Sequence, residues 1–455
     1  MREKPTPRSP SGTARTSAAT SDPAEPPRRP SRARAIASVL AGGLLLSACG
    51  GEGDAPTLTW YINPDDGGQQ ALAQQCTDEA DGAYSIQTSL LPADAFAQRE
   101  QLARRLAAGD TSLDIMSVDP PFIPELAEPG FLAPVPEDVA ERTTQDTLEG
   151  ALAGAMWDEE LVTIPFWANT QLLWYRESVV EEAGLDMDEP VTWEQIMDVA
   201  EEQEKFLGVQ GIRAESMTVW LNALLESQGE SILVDPSASQ DELETSLDSE
   251  AGRSAAEVLN RIGSEGLGGP GIASMDENQS MLLFQRDQGS FMLNWPFVWA
   301  ATNAAAEEGS VEADLPEDIG WAQYPRMDED TPSAPPLGGI NLGVGADSEH
   351  PELAYEAIEC IVEPENQAEY FVTNGNPPSS SSAFDDSRVE EDFPMADEIR
   401  EALENAAPRP QTPFYNEIST TIQLNYTPLS GVDPERTPPE ADTTVGEVLR
   451  GERLL

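Results

Sequence analysis

The chain has 455 residues, and its 83 Asp and Glu against 25 Lys and Arg give a net charge of −58. That charge repels phosphate backbones and argues against nucleic-acid partners. A single histidine, His350, and three cysteines, Cys49, Cys76 and Cys360, exclude a His-rich metal centre and a four-thiolate zinc site, so no cofactor or metal is expected.

The first fifty residues read as an address. Residues 1–34 are rich in Pro, Ser, Thr and Arg and end in Arg28, Arg29, Arg32 and Arg34, the basic flank of an export signal. The apolar stretch Ala35 to Leu46 follows; its 12 residues are too few for a bilayer-spanning helix, which needs about 20. The run Leu46 to Gly50 (LSACG) resembles the bacterial lipobox, which makes residues 1–48 a lipoprotein signal, Cys49 the lipidated mature N-terminus and 49–56 a flexible tether. Residues 1–48 hold eight basic and three acidic residues, so residues 49–455 carry −63, with Lys205 as their one lysine. Such self-repulsion suits a salty or alkaline habitat, or simply a soluble acidic surface. In an oxidising compartment Cys76 and Cys360 remain as a pair, and a disulfide between them is expected, two free buried thiols being the alternative.

The mature chain alternates strand and helix signals. The β-rich run Leu58 to Ile62, the turn-like Asn63 to Gly68 and a helix over Gln69 to Ala80 begin an α/β unit. A strand over Tyr84 to Leu90, a helix over Asp94 to Ala108 capped by Gly109, and a strand over Leu113 to Val118 continue it. Asp119 stands at the carboxyl end of that strand, where open α/β sheets bind ligands; its alternative role is to cap the helix near Phe122 to Ala127. Thr192 and Gln195 form a capping box that opens a helix through about Leu207. Ser290 to Leu293 and Ile340 to Val344 read as strands, and the Ser- and acid-rich region Ser379 to Pro394 as a surface loop. Gly266 to Gly271 spells a dinucleotide fingerprint but follows a helical pattern and carries Pro270, so it reads as a loop. No nucleophile elbow, zinc helix or phosphate loop is present in the sequence. Carboxylate pairs for glycoside hydrolysis are too numerous to carry a signal.

The aromatic residues carry more. Trp60, Trp167, Trp295 and Trp299 fall beside turns, and Trp295 follows Asn294 at a strand end and precedes Pro296. A sugar site needs a flat aromatic platform with amides, carboxylates and arginine around its rim.

Several motifs occur in a familiar order. Leu106 to Asp110 with Leu113 to Ile115, then Gly130 to Pro134, then Ile164 to Phe166 with Leu172 to Arg176, then Trp321 to Pro325, resemble the extracellular sugar-binding proteins of ABC importers, solute-binding family 1. Phe291 to Trp299 and Pro408 to Ser419 are most similar to the trehalose-binding lipoproteins of that family.

The resemblance implies an α/β, two-lobed periplasmic-binding-protein-like fold with a hinge and an interlobe ligand cleft. One lobe is expected over 57–166 and 325–365, the other over 167–324 and 366–455. It implies a lipid-anchored, monomeric, non-enzymatic protein on the outer face of the membrane, which captures a disaccharide and delivers it to a permease driven by a cytoplasmic ATPase. Carried to this sequence, Asp119 and Asn169 bond sugar hydroxyls, Glu277 accepts, Trp295 stacks on a ring, Gly339 offers its backbone N–H and Arg409 makes charge-assisted bonds. Asn63 is added from its position in the first strand–helix loop. Maltose, another oligosaccharide or a glycerophosphodiester are alternative ligands, and a surface-anchored glycoside hydrolase is the rival class.

Overall fold

A computed structural model describes residues 55–65 and 67–455. The signal segment, Cys49 and nearly all of the tether lie outside the described residues.

The strands, in chain order, are β1 (Thr57–Ile62), β2 (Ser85–Leu90), β3 (Ile115–Val118), β4 (Met156–Trp157), β5 (Glu160–Leu161), β6 (Ile164–Asn169), β7 (Leu172–Arg176), β8 (Phe206–Gly208), β9 (Gly289–Asn294), β10 (Ile319–Ala322) and β11 (Gly338–Gly343). The first sheet has the order β2-β1-β3-β11-β6 and the second the order β10-β7-β9-β8, while β4 and β5 form a small hairpin. In the first sheet β1 runs parallel to β2 and β3, and β11 runs antiparallel to β3 and β6.

Both faces of the first sheet are covered, so its central strands send apolar side chains to either side. Leu58, Trp60 and Ile62 of β1 point to one cluster with Leu72 and Cys76 of the helix Gly68–Glu79. Tyr61 points the other way, with Met116 and Val118, onto Leu102 and Leu106 of the helix Ala95–Ala107. The second sheet packs Leu173 of β7 and Phe291 and Leu293 of β9 into a separate core with the helices Trp193–Glu202, Glu215–Glu226 and Glu250–Ser264. A fourth cluster joins Ala168 of β6 to Leu172, Trp174 and Met292 of the second sheet. The chain passes from one sheet to the other between Asn169 and Leu172 and returns between Ala322 and Gly338. Strand β6 thus extends three residues past the expected lobe boundary at 166/167, because Trp167 to Asn169 pair with Gly338 to Ile340.

The sulfurs of Cys76 and Cys360 are bonded, joining the helices Gly68–Glu79 and Pro351–Ile361 across 284 residues of sequence. The capping box at Thr192 and Gln195 is formed, and the αL glycine at 109 follows its helix. Among the described residues, no helix is long and apolar enough to cross a membrane.

Two expectations are corrected. The helix from Trp193 ends at Glu202, not near Leu207: Glu204 takes a left-handed φ of 55°, and Phe206 and Leu207 then run beside β9 as β8. The region 379–394 is not a surface loop. Ser379 is fully buried, its hydroxyl donating to the Pro165 carbonyl at 3.1 Å, while the backbone N–H groups of Ser379 and Ser380 donate to Gln367 Oε1. Phe384 and Phe393 pack on Phe371, with centroids 6.1 and 4.0 Å apart, so polar residues with internal partners follow an apolar anchor inward. Trp60 has the role commonest for a single tryptophan, that of a core residue with no exposure; its indole N–H donates to Ser117 Oγ and its ring meets Phe166 edge-on.

Candidate functional site

Strand ends of both sheets converge on one cleft. From the first sheet come Asn63 after β1, Asp119 after β3, Trp167 and Asn169 at the end of β6, and Gly338, Gly339 and Ile340 of β11. From the second come Glu215 and Val219 of the helix Glu215–Glu226, and Trp295 and Phe297 just past β9. Arg409 reaches in from the connection ahead of the helix Tyr415–Tyr426. Together they line a cavity of about 250 Å³.

Local chemistry aims the two indoles. Asn294 is fully buried; its amide donates to the Glu277 carbonyl at 2.9 Å and its Oδ1 accepts from the Trp295 N–H at 2.9 Å, which fixes the turn out of β9. The six-membered ring of Trp295 lies over Gly338, where a Cβ would come 3.0 Å from Cζ3 and Cη2. Gly339 has φ 125°, and a Cβ there would lie 2.3 Å from the Trp167 carbonyl oxygen. Both glycines therefore let β6 and the second lobe approach one stretch of β11.

The polar floor is a charge network. Arg409 is 4% exposed; its Nη2 donates to Asp119 Oδ1 at 2.5 Å, and its Nη1 to Asp119 Oδ2 at 3.3 Å and to Glu215. Tyr415 donates its hydroxyl to Glu215 Oε1 at 2.5 Å. Burial pushes the Asp119 carboxyl up to about 6, with Arg409 opposing the rise and Glu215 adding to it. Asp119 makes no side-chain cap bond to the following turn, so its carboxylate belongs to this network.

Three polar atoms of the lining are buried and have no protein partner among the described residues: Asn63 Oδ1, Trp167 Nε1 and Arg409 Nε. An unpaired buried polar group costs about 1–3 kcal/mol, so such atoms mark where a polar ligand gains most.

The cavity lining includes the expected residues Asn63, Asp119, Asn169, Trp295, Gly339 and Arg409. Glu277 is not in the lining: it is half-buried in the first turn of the helix Glu277–Phe284, which Asp276 caps. Burial raises its carboxyl above the usual range, its own backbone opposes the rise, and Asp276 and Glu215 add to it. Sequence reasoning passed over Glu215, Gln98, Gly338 and Phe297, and noticed Trp167 only as a tryptophan beside a turn. The pairing of Trp167 with Ile340, one residue past Gly339, is what brings it to the cleft.

This geometry has known counterparts. Residues 69–368 match the bacterial extracellular solute-binding proteins, and the chain belongs to that family. A probable ABC transporter-binding protein of Deinococcus radiodurans is 25% identical over 273 residues, a match covering 57% of this chain and 62% of that protein, less than two-thirds of its length. Among solved structures, maltose-bound MalE3 of T. maritima aligns with a TM-score of 0.74 at 22% identity, covering 88% of this chain and 100% of that one. The GacH receptor of Streptomyces glaucescens, solved unliganded and with acarbose, aligns at 0.71 with 20% identity over 87% of this chain and 98% of its own. A solute-binding protein of Agrobacterium radiobacter K84 in complex with ribitol aligns at 0.72 with 18% identity, over 87% and 99%. These likenesses establish the two-lobed α/β fold. The family and these relatives are binding proteins by description, in agreement with the expectation of a chain that is not an enzyme.

Proposed function

We propose that this protein captures an uncharged carbohydrate in its interlobe cleft and delivers it to the permease of an ABC importer, with a disaccharide, trehalose, as the leading ligand. The observation that carries this reading is the lining itself. Two tryptophans, Trp167 and Trp295, are in the lining, and one acceptor and two donors, Asn63 Oδ1, Trp167 Nε1 and Arg409 Nε, stand ready without partners among the described residues. Sugar rings supply apolar C–H faces and hydroxyls that both donate and accept, which matches this set. Asp119 and Glu215 outnumber Arg409 in the lining, which disfavours a glycerophosphodiester or any other anionic ligand. The maltose, acarbose and ribitol carried by the structural neighbours support a polyhydroxylated ligand here.

The trehalose reading rests on the segments Phe291 to Trp299 and Pro408 to Ser419, which contribute Trp295, Phe297 and Arg409 to the lining. Lipidation of Cys49, an outer-face location and action as a monomer complete the proposal. The hydrolase alternative finds no support in the family match or in the curated relative, both of which are binding proteins by description.

A thermal-shift screen over trehalose, maltose, sucrose and longer glucans tests the reading. A binding protein melts higher with its ligand and returns the sugar intact. Trp295→Ala then weakens that sugar by about 2 kcal/mol, roughly 30-fold. Unchanged affinity in the variant, or cleavage of the sugar, refutes the assignment.

A further inference from the structure

Asn63 enters the cleft from a loop that is held at several points within the first lobe. Ahead of it, the Ile62 carbonyl accepts from the Leu91 N–H at 2.8 Å. After it, Pro64 steers the Asn63 backbone away from the helical region toward an extended one. The Asp65 carboxylate accepts from the N–H groups of Gly67 and Gln69 at 3.0 and 2.8 Å, and from the hydroxyl of the buried Tyr370 at 3.3 Å. The remaining point is the Asn63 carbonyl itself, which accepts from Gln69 Nε2 at 2.9 Å.

Gln69 is fully buried, and its amide belongs to a chain of bonds with one direction. The chain starts at an indole N–H, which can only donate, and ends at a carbonyl, which can only accept. Trp60 Nε1 donates to Ser117 Oγ at 3.1 Å, Ser117 Oγ donates to Gln69 Oε1 at 3.2 Å, and Gln69 Nε2 is left facing Asn63. Reversing the amide would set Oε1 against the Asn63 carbonyl, acceptor against acceptor. Trp60 and Ser117 are buried too, so water does not compete for these bonds. Ser117 lies on β3 two residues before Asp119, so the chain also ties the loop after β1 to the strand that delivers Asp119.

We propose that Gln69 is a positioning residue for the ligand cleft: its amide fixes the Asn63 carbonyl and thereby aims Asn63 Oδ1, which lines the cavity without a partner among the described residues. Asn63 then meets a ligand hydroxyl as a preset acceptor, and binding is spared the cost of ordering it. The effect on affinity rests on the carbohydrate reading above; the effect on the order of Asn63 does not.

Gln69→Glu tests this, because it keeps the side-chain shape and the acceptor for Ser117 but turns a second acceptor toward the Asn63 carbonyl. Titration calorimetry with trehalose and with maltose is run on wild type, Gln69→Glu, Asn63→Ala and the double variant, below their melting ranges. Each single variant is expected to raise Kd by about 10-fold, and the double variant to raise it no further than Asn63→Ala alone, since Gln69 acts through Asn63. A merely structural role would lower the midpoint and leave the two effects on Kd multiplying. Gln69→Met, which adds no charge, carries the same cycle if Gln69→Glu does not fold. Multiplying effects, or a Gln69 variant that binds as wild type does, overturns the proposal. If neither sugar binds the wild type, the carbohydrate reading falls, and the side-chain amide NMR signal of Asn63, identified by its loss in Asn63→Ala, decides instead. That signal is expected to be sharp in the ligand-free wild type and broadened or displaced in the Gln69 variant; an unmoved signal overturns the proposal.

Discussion

Gly338 and Gly339 are neighbours in β11, yet adding one methyl to each should do different damage. At Gly338 a Cβ meets only side chain at close range: Trp295 Cζ3 and Cη2 at 3.0 Å, then Asn169 Cβ at 3.7 Å. The indole must retreat by a few tenths of an ångström toward the cavity, and an off-rotamer tilt of that kind costs about 0.5–1.5 kcal/mol. Expressed as binding, that is roughly 2- to 12-fold in Kd, with little change in melting. At Gly339 the methyl would face the Trp167 carbonyl oxygen at 2.3 Å and Ala168 Cα at 3.0 Å, from a φ of 125°. Those atoms are the backbone of β6, which cannot yield without parting from β11. Strained dihedrals cost about 1–3 kcal/mol and overpacking about 1–3 more, so Gly339→Ala should lose roughly 3 kcal/mol of stability and melt measurably lower. Calorimetric melting and titration of both variants with the sugar found by thermal shift provide the assay. If Gly338→Ala leaves affinity untouched, or if the two variants melt alike, the account of β11 as the platform beneath Trp295 is wrong.

Three further outcomes are expected. Asp119, pushed up to about 6, is ionised at pH 7.5 and protonated at pH 5, which weakens its bond to Arg409; sugar affinity should fall through that interval, and Asp119→Asn should flatten the step. Because its folded value lies above the usual carboxylate value, its contribution to folding is full at low pH and is lost as pH rises through about 6, so the melting difference between wild type and Asp119→Asn should widen in that direction. Cys76→Ser or Cys360→Ser should cost about 2–5 kcal/mol, because the bond closes a loop of 284 residues; a wild-type midpoint unmoved by a reductant that has opened the bond would contradict this. With −63 on residues 49–455, raising salt from about 0.01 M to about 1 M shortens the screening length from about 30 to about 3 Å and should raise the midpoint; a flat response would mean that repulsion does not limit stability.

Local punctuation made much of this protein legible in advance. The turn after Ile62, the strand ending at Val118 before Asp119, and the Asn294–Trp295 step after β9 are signalled by a few adjacent residues, and ligand-facing positions of α/β sheets fall at such strand ends. The capping box at Thr192 and Gln195 is equally local, requiring only two side chains three residues apart. By contrast β8 became a strand because Glu204 turns left-handed and β9 offers an edge, and nothing in the run Lys205 to Gly208 announces that partner. Ser379 and Ser380 are buried because Gln367 and the Pro165 carbonyl await them, which composition cannot reveal.

Glu215 is the sharpest case. It is one of 83 acidic residues and carries no mark in its own neighbourhood, but folding sets it against Arg409 and Tyr415, about 200 residues away in sequence. What the sequence determined by itself was the succession of strands and helices and the residues standing at the strand ends, since these follow from short-range geometry and patterning. Which of the many carboxylates face a buried arginine, and which indole lies over which glycine, was decided only by tertiary structure, because desolvation and close contact exist only once distant segments have come together.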